Sequence, residues 1–148
     1  MADPPMERAL AEAGRAAMAG EVPVGAVLVD GSGAIIAGSH NRVVADRDPT
    51  AHAEMLALRA GAARLGRARL DDCDLYVTLE PCPMCAAAIA LAHIRRLYFG
   101  AFDPKGGGVE HGPRIFDQPT CNHRPEIYGG IAERRAAALL QAFFRRRR

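Results

Sequence analysis

L-Y-V-T-L-E-P-C-P-M-C-A, Leu75 to Ala86, is a short apolar run, a proline-flanked cysteine pair and the start of an alanine-rich segment. Leu75 to Leu79 has the length and the Val, Leu and Tyr content of a strand. Pro81 and Pro83 end the extended run, and the alanines that follow favour helix to about His93. Ile94 to Phe99 is apolar again, so strand, helix and strand follow one another with short connections. Such a unit places its two strands parallel, with a right-handed crossover.

Upstream, Val24 to Val29 and Ala34 to Ser39 are Val- and Ile-rich runs split by Asp30-Gly31-Ser32-Gly33, the pattern of a hairpin. Met6, Leu10, Ala13 and Ala17 recur at helical spacing over Met6 to Ala19, and Gly20 is the stop. Pro49-Thr50 offers a second helix start with Thr50 as N-cap, and Met55, Leu56 and Leu58 form its apolar face up to Gly61. Pro104 to Asn122, rich in Gly and Pro, reads as loop with room for one short strand or turn. Gly130 to Arg146 returns to helical spacing with Ile131, Leu139, Leu140 and Phe143 on one side. The sum is an α/β sandwich around a mixed sheet.

The 148 residues suit a single domain, 1–148, that can bury a core without disulfides. No apolar run approaches a membrane span, and Met1 to Gly20 carries Glu and Arg throughout, unlike a signal segment. A soluble, cytoplasmic protein is expected, with no membrane association. The net charge of +2 hides an asymmetry, because Glu133 to Arg148 holds six arginines against one acid. A basic C-terminal helix, about 130–148, suits phosphate contact and equally suits a solvated helix end.

Four cysteines in such a chain point to metal or redox chemistry rather than a disulfide framework. His52, Cys82 and Cys85 supply the three protein ligands that a catalytic zinc requires, leaving a fourth position open. Cys82 and Cys85 are three apart at a helix start, so one turn can bring both sulfurs to one point, and the helix N-terminus favours both as thiolates. Glu54, two residues after His52, is placed to take a proton from an activated water and hand it to a ring nitrogen. The set predicts hydrolytic conversion of a ring amine to a carbonyl. A structural zinc site would recruit a fourth ligand, yet Cys73, Cys121, His93, His111 and His123 have no partner spacing. A dithiol redox centre would leave His52 and Glu54 without a role.

His52-x-Glu54 followed by Pro81-Cys82-x-x-Cys85 is the signature of zinc deaminases acting on cytosine or adenine. D-P-T-A-H-A-E (Asp48 to Glu54) and Leu75 to Ala86 closely resemble the bacterial tRNA-specific adenosine deaminases. So do V-P-V-G-A-V-L-V (Val22 to Val29), Asn41-Arg42, F-G-A-F-D-P-K (Phe99 to Lys105), N-H-R-P-E-I (Asn122 to Ile127) and A-L-L-Q-A-F-F-R (Ala138 to Arg145). Gly106-Gly107-Gly108 and Val109 to Pro119 depart from the family's loop.

The resemblance implies a cytidine-deaminase-like fold, a three-layer α/β/α sandwich with a mixed five-stranded sheet, working as a homodimer. It implies one Zn2+ per subunit and, as substrate, the wobble adenosine of a tRNA anticodon stem-loop, of an arginine tRNA, converted to inosine. By position, Asn41 is expected to bond the flipped purine, Asp103 to contact the sugar, and Arg145 on the terminal helix to face RNA. Read without the family, Asn41 is a polar loop residue and Asp103, before Pro104, a turn former. No DNA partner is expected. Two other functions fit the residues: a deaminase of a free base or nucleoside such as cytosine, guanine or cytidine, and a zinc-stabilised RNA-binding module without catalysis.

Overall fold

β1 (Gly25–Val29) is buried along its whole length, because both faces of the sheet are covered. In the computed structural model, which describes residues 4–147, β1 pairs antiparallel with β2 (Ile35–His40) and with β3 (Asp74–Leu79). β3 then pairs parallel with β4 (Arg96–Ala101), and β4 parallel with β5 (Glu126–Tyr128), giving a five-stranded mixed sheet in the order β2-β1-β3-β4-β5. Alternation sorts the side chains into two cores. Ala26, Leu28, Leu75, Val77, Leu97 and Phe99 pack with Ala57 and Ile89 on one face, while Val27, Val29, Tyr76 and Ala101 pack with Met6, Leu10 and Ala136 on the other. Continuous apolar strands are what such double coverage demands.

The helices make the outer layers. α1 (Pro4–Met18) lies over β1 to β3 and touches α4 (Glu133–Arg146), while α2 (Ala53–Leu65) and α3 (Pro83–Leu91) cover the opposite face. The α/β/α layering and the hairpin-then-parallel order expected from the sequence are those observed. Among the described residues no helix is long and apolar enough to cross a membrane. Arg148 of the basic tail and the first three residues of the 1–148 span lie outside the described residues.

Several boundaries differ from the sequence expectation, each for a local reason. α2 does not begin with a Thr50 cap, because the Asp48 carboxylate accepts both the Thr50 N–H (2.9 Å) and its hydroxyl (2.7 Å), and His52 becomes the N-cap. Nor does α2 stop at Gly61. A Cβ there would meet Leu28 Cδ2 at 2.1 Å, so this glycine serves close packing of helix on sheet, and the left-handed stop is Gly66 with φ 70°. β4 starts at Arg96 rather than Ile94, since the Ile94 N–H still bonds Ile89 O behind a left-handed His93. α4 begins at Glu133, three residues after the expected Gly130. The 104–122 stretch holds one 3-10 turn, Ile115–Asp117, and β5 lies just beyond it.

Candidate active site

His52 and Cys82 are the N-cap residues of α2 and α3, and neither side chain caps its own helix. Both are therefore free to turn towards each other. Pro83 opens α3 at a position where its missing N–H costs nothing, and Cys85 follows within the first turn. The result is convergence: Cys82 Sγ lies 3.6 Å and Cys85 Sγ 3.4 Å from His52 Nδ1.

Ligands at ordinary zinc bond lengths, set at tetrahedral angles, stand about 3.5 to 3.8 Å apart, so the donor spacing fits zinc closely. The three donor atoms lie within 4.8 Å of one another, and among the described residues no further His, Cys, Asp or Glu joins them. Cys73 is buried in the apolar core and Cys121 packs at its edge, as small core and loop residues do. His93 and His123 pack ring against ring, and His111 bonds Glu80.

Glu54, the second residue of α2, is 4% exposed. Burial pushes its carboxyl up to about 7, the Cys82 charge adding to the rise, while His52 and a hydrogen bond from the Cys85 thiol oppose it. The two thiols divide. Cys82 is drawn down to about 4, chiefly by the hydrogen bond from Cys85 and with help from His52 against the cost of burial. Cys85 is held up by that same bond and by burial. The His52 imidazole is raised by its bond to the Cys82 sulfur, against burial.

These groups open onto a cavity of about 270 Å³ walled by Val22, Val24, Ala53, Leu79, Asn41, Glu80, Asp103 and Gly106 as well as His52, Glu54 and Cys82. Asn41, just past β2, reaches it with its amide. The Nδ2 donates a long bond to Val22 O (3.5 Å), and the buried Oδ1 has no partner among the described residues. Asp103 Oδ1 accepts from the Lys105 and Gly106 N–H groups, so Asp103 is both a turn former and part of the wall. Arg145 is not brought to this cavity; it borders a shallow depression on α4 with Leu140, Gln141 and Phe144. Glu80, 1% exposed and in the wall, was not singled out from sequence. Its only signal was an acidic residue at the end of an otherwise apolar strand.

Residues 3–101 match the family model for the cytidine and deoxycytidylate deaminase zinc-binding region, which spans the hairpin, His52, Glu54 and both cysteines. The chain is 57% identical over 143 residues to the tRNA-specific adenosine deaminase of Agrobacterium fabrum, covering 97% of this chain and 93% of that one. It belongs to the tRNA-specific adenosine deaminase family. A solved structure from studies of A-to-I editing by tRNA:A34 deaminases at the wobble position superposes on this deaminase with a TM-score of 0.90 and 57% identity, over 92% of this chain and 98% of that one. Guanine deaminase from Nitrosomonas europaea shares the fold at TM-score 0.77, but at 26% identity over 97% of this chain and 85% of its own. Family and geometry agree that this deaminase is a hydrolase whose one histidine and two cysteines are positioned for zinc.

Proposed function

We propose that the chain converts the wobble adenosine of a tRNA anticodon stem-loop to inosine, consuming water and releasing ammonia. The observation that carries the chemistry is the convergence of His52, Cys82 and Cys85 beside a buried Glu54 at one cavity. His52, Cys82 and Cys85 would hold the zinc, which would supply the Lewis acidity that activates water at neutral pH. Glu54 works on the proton. A carboxyl held near 7 can accept a proton from the attacking water and deliver it to a purine ring nitrogen, then take the hydroxyl proton of the tetrahedral intermediate and pass it to the departing amine as the carbonyl forms.

Asn41, whose Oδ1 has no partner among the described residues, would bond the edge of the base, and Asp103, in the cavity wall, would contact the sugar. An anticodon-loop base is already poorly stacked, so extruding it costs a few kcal/mol or less. Arginines of α4 would neutralise phosphates of the stem. The reading includes an arginine tRNA as substrate, a homodimer, one domain over 1–148, and work in the cytoplasm where tRNA is found. It is favoured over free-base deamination by the contrast between 57% identity and a TM-score of 0.90 to a wobble deaminase structure and 26% to 35% identity at TM-scores of 0.77 and 0.64 to guanine deaminases.

The test is ammonia release from an anticodon stem-loop, free guanine and free cytosine side by side, with sequencing of the RNA product. Inosine at the wobble position, read as guanosine, is expected only with the stem-loop; turnover of a free base alone would move the assignment to that class. Glu54→Ala is expected to lower kcat by about 10²- to 10⁴-fold with zinc and RNA binding kept, and Cys85→Ser to lose metal. Full activity of Glu54→Ala would refute the proton shuttle.

A further inference from the structure

We propose that Glu80 is a positioning residue, whose buried carboxylate fixes the 103–111 loop as one wall of the catalytic cavity, with His111 closing the arrangement from the solvent side. Glu80 follows β3 directly and immediately precedes the Pro81-Cys82 turn, so it belongs to the strap that carries a metal-ligand candidate. Its Oε1 accepts from the Asp103 N–H (3.0 Å) and bonds His111 Nδ1 (2.8 Å). Its Oε2 accepts from the N–H groups of Val109 (3.2 Å), Glu110 (2.9 Å) and His111 (3.1 Å). Four backbone donors and one ring nitrogen thus saturate a single carboxylate. A carboxylate so completely used has nothing left to offer a substrate, and acts through the loop it holds.

The glycines of that loop are explained by the same contact. A Cβ on Gly107 would stand 2.5 Å from Glu80 Oε2, and one on Gly108 would stand 2.6 Å from Pro83 N. The loop lies flat against the strap because nothing projects from it there. Gly108 N–H also bonds Pro81 O (2.8 Å), tying the loop to the turn that carries Cys82. Asp103 and Gly106, the two loop residues in the cavity wall, are thereby set relative to His52 and Glu54. A site whose second layer is loosened loses the fit of its substrate before it loses its reactive groups.

The substrate arm of the test rests on the wobble-adenosine reading; the exchange arm does not. Glu80→Gln presents an amide N–H where backbone N–H groups point. It is expected to raise amide hydrogen exchange at Asp103, Val109, Glu110 and His111 and to raise KM for the stem-loop, each by about tenfold, with zinc content and kcat kept close to the parent. Unchanged exchange at those amides, or a loss of kcat that follows lost zinc while KM stays put, would overturn the proposal. Should Glu80→Gln not fold, His111→Ala removes one bond at a partly exposed position and is expected to raise KM about threefold, with His111→Asn restoring it through its side-chain N–H. An unchanged KM in His111→Ala would count against the proposal in that case. Failure of the parent protein to turn over the stem-loop would sink the substrate reading, and the exchange comparison would still decide the role of Glu80.

Discussion

Asn41 Oδ1 is buried in the cavity wall and has no hydrogen-bond partner among the described residues, a state that costs a folded protein about 1–3 kcal/mol. A group kept at that cost is accounted for if the substrate completes the bond. Asn41→Ala is therefore expected to raise KM for the stem-loop about tenfold, while the melting temperature of the free protein hardly moves because an unsatisfied acceptor has been removed. A large fall in melting temperature with unchanged KM would instead make Asn41 a structural residue. His52, Glu54, Cys82 and Cys85 were legible in sequence because their chemistry is tied to short spacings, two residues in one pair and three in the other, that helix geometry converts directly into convergence. Glu80 was not. Its role depends on a loop more than twenty residues downstream folding back onto it, and a single acidic residue after an apolar strand carries no trace of that return.

At the scale of elements, the site is built by pressing α1 and α2 against one sheet from opposite sides, and Gly25 and Gly61 set how closely. At Gly25 a Cβ would fall 2.0 Å from Ala9 O on α1, and the Gly25 N–H donates to Thr78 Oγ1 at 3.1 Å. Gly25→Ala must push α1 off β1, so a destabilisation of about 3 kcal/mol or more is expected in urea denaturation, with the cavity wall at Val24 disturbed; near-parental stability would contradict the packing. α1 is also tied to β2 through Glu12, 3% exposed and bonded by Arg8, Arg15 and His40. Burial favours protonation of Glu12, but the bonds from His40 and Arg8 and the Arg15 charge prevail and lower its pKa below 4.5. A carboxylate lowered on folding contributes stability above its unfolded value and loses it as pH falls through the folded one. Glu12→Gln is accordingly expected to be less stable than the parent at pH 7 by about 1–3 kcal/mol, with the gap narrowing below about pH 4.5. A gap independent of pH would mean the charge is not what matters. Strands and helices were legible in outline, whereas the Thr50 and Gly61 boundaries were not, because an Asx turn and a glycine chosen for close approach look like a cap and a stop.

Across the whole molecule, positive charge gathers on one terminal helix, and its arginines do different things. Arg147 donates to Gly20 O at 2.9 Å and lies 4.5 Å over the Phe143 ring, so it fastens the end of α4 to the turn after α1. Arg135 pairs with Glu7 in the same way nearer the start of the helix. Arg145 and Arg146, in the last turn, are the arginines of this end that the proposed reading sets against an RNA backbone. Removing 145–148 as a block would confound the two roles, since it cuts an α1–α4 fastening along with the candidate phosphate-binding arginines. The paired substitution Arg145→Ala, Arg146→Ala separates them. Each RNA phosphate left without its arginine lowers the dependence of log affinity on log salt by about 0.7 to 0.9, so a decrease in slope of about 1 to 2 is expected, with zinc content and melting temperature unchanged. Arg147→Ala should do the reverse, lowering the melting temperature slightly while leaving the salt slope nearly intact. An identical slope for the paired variant would mean that α4 ends in a solvated cap, and that the anticodon stem is gripped by some other surface of the deaminase.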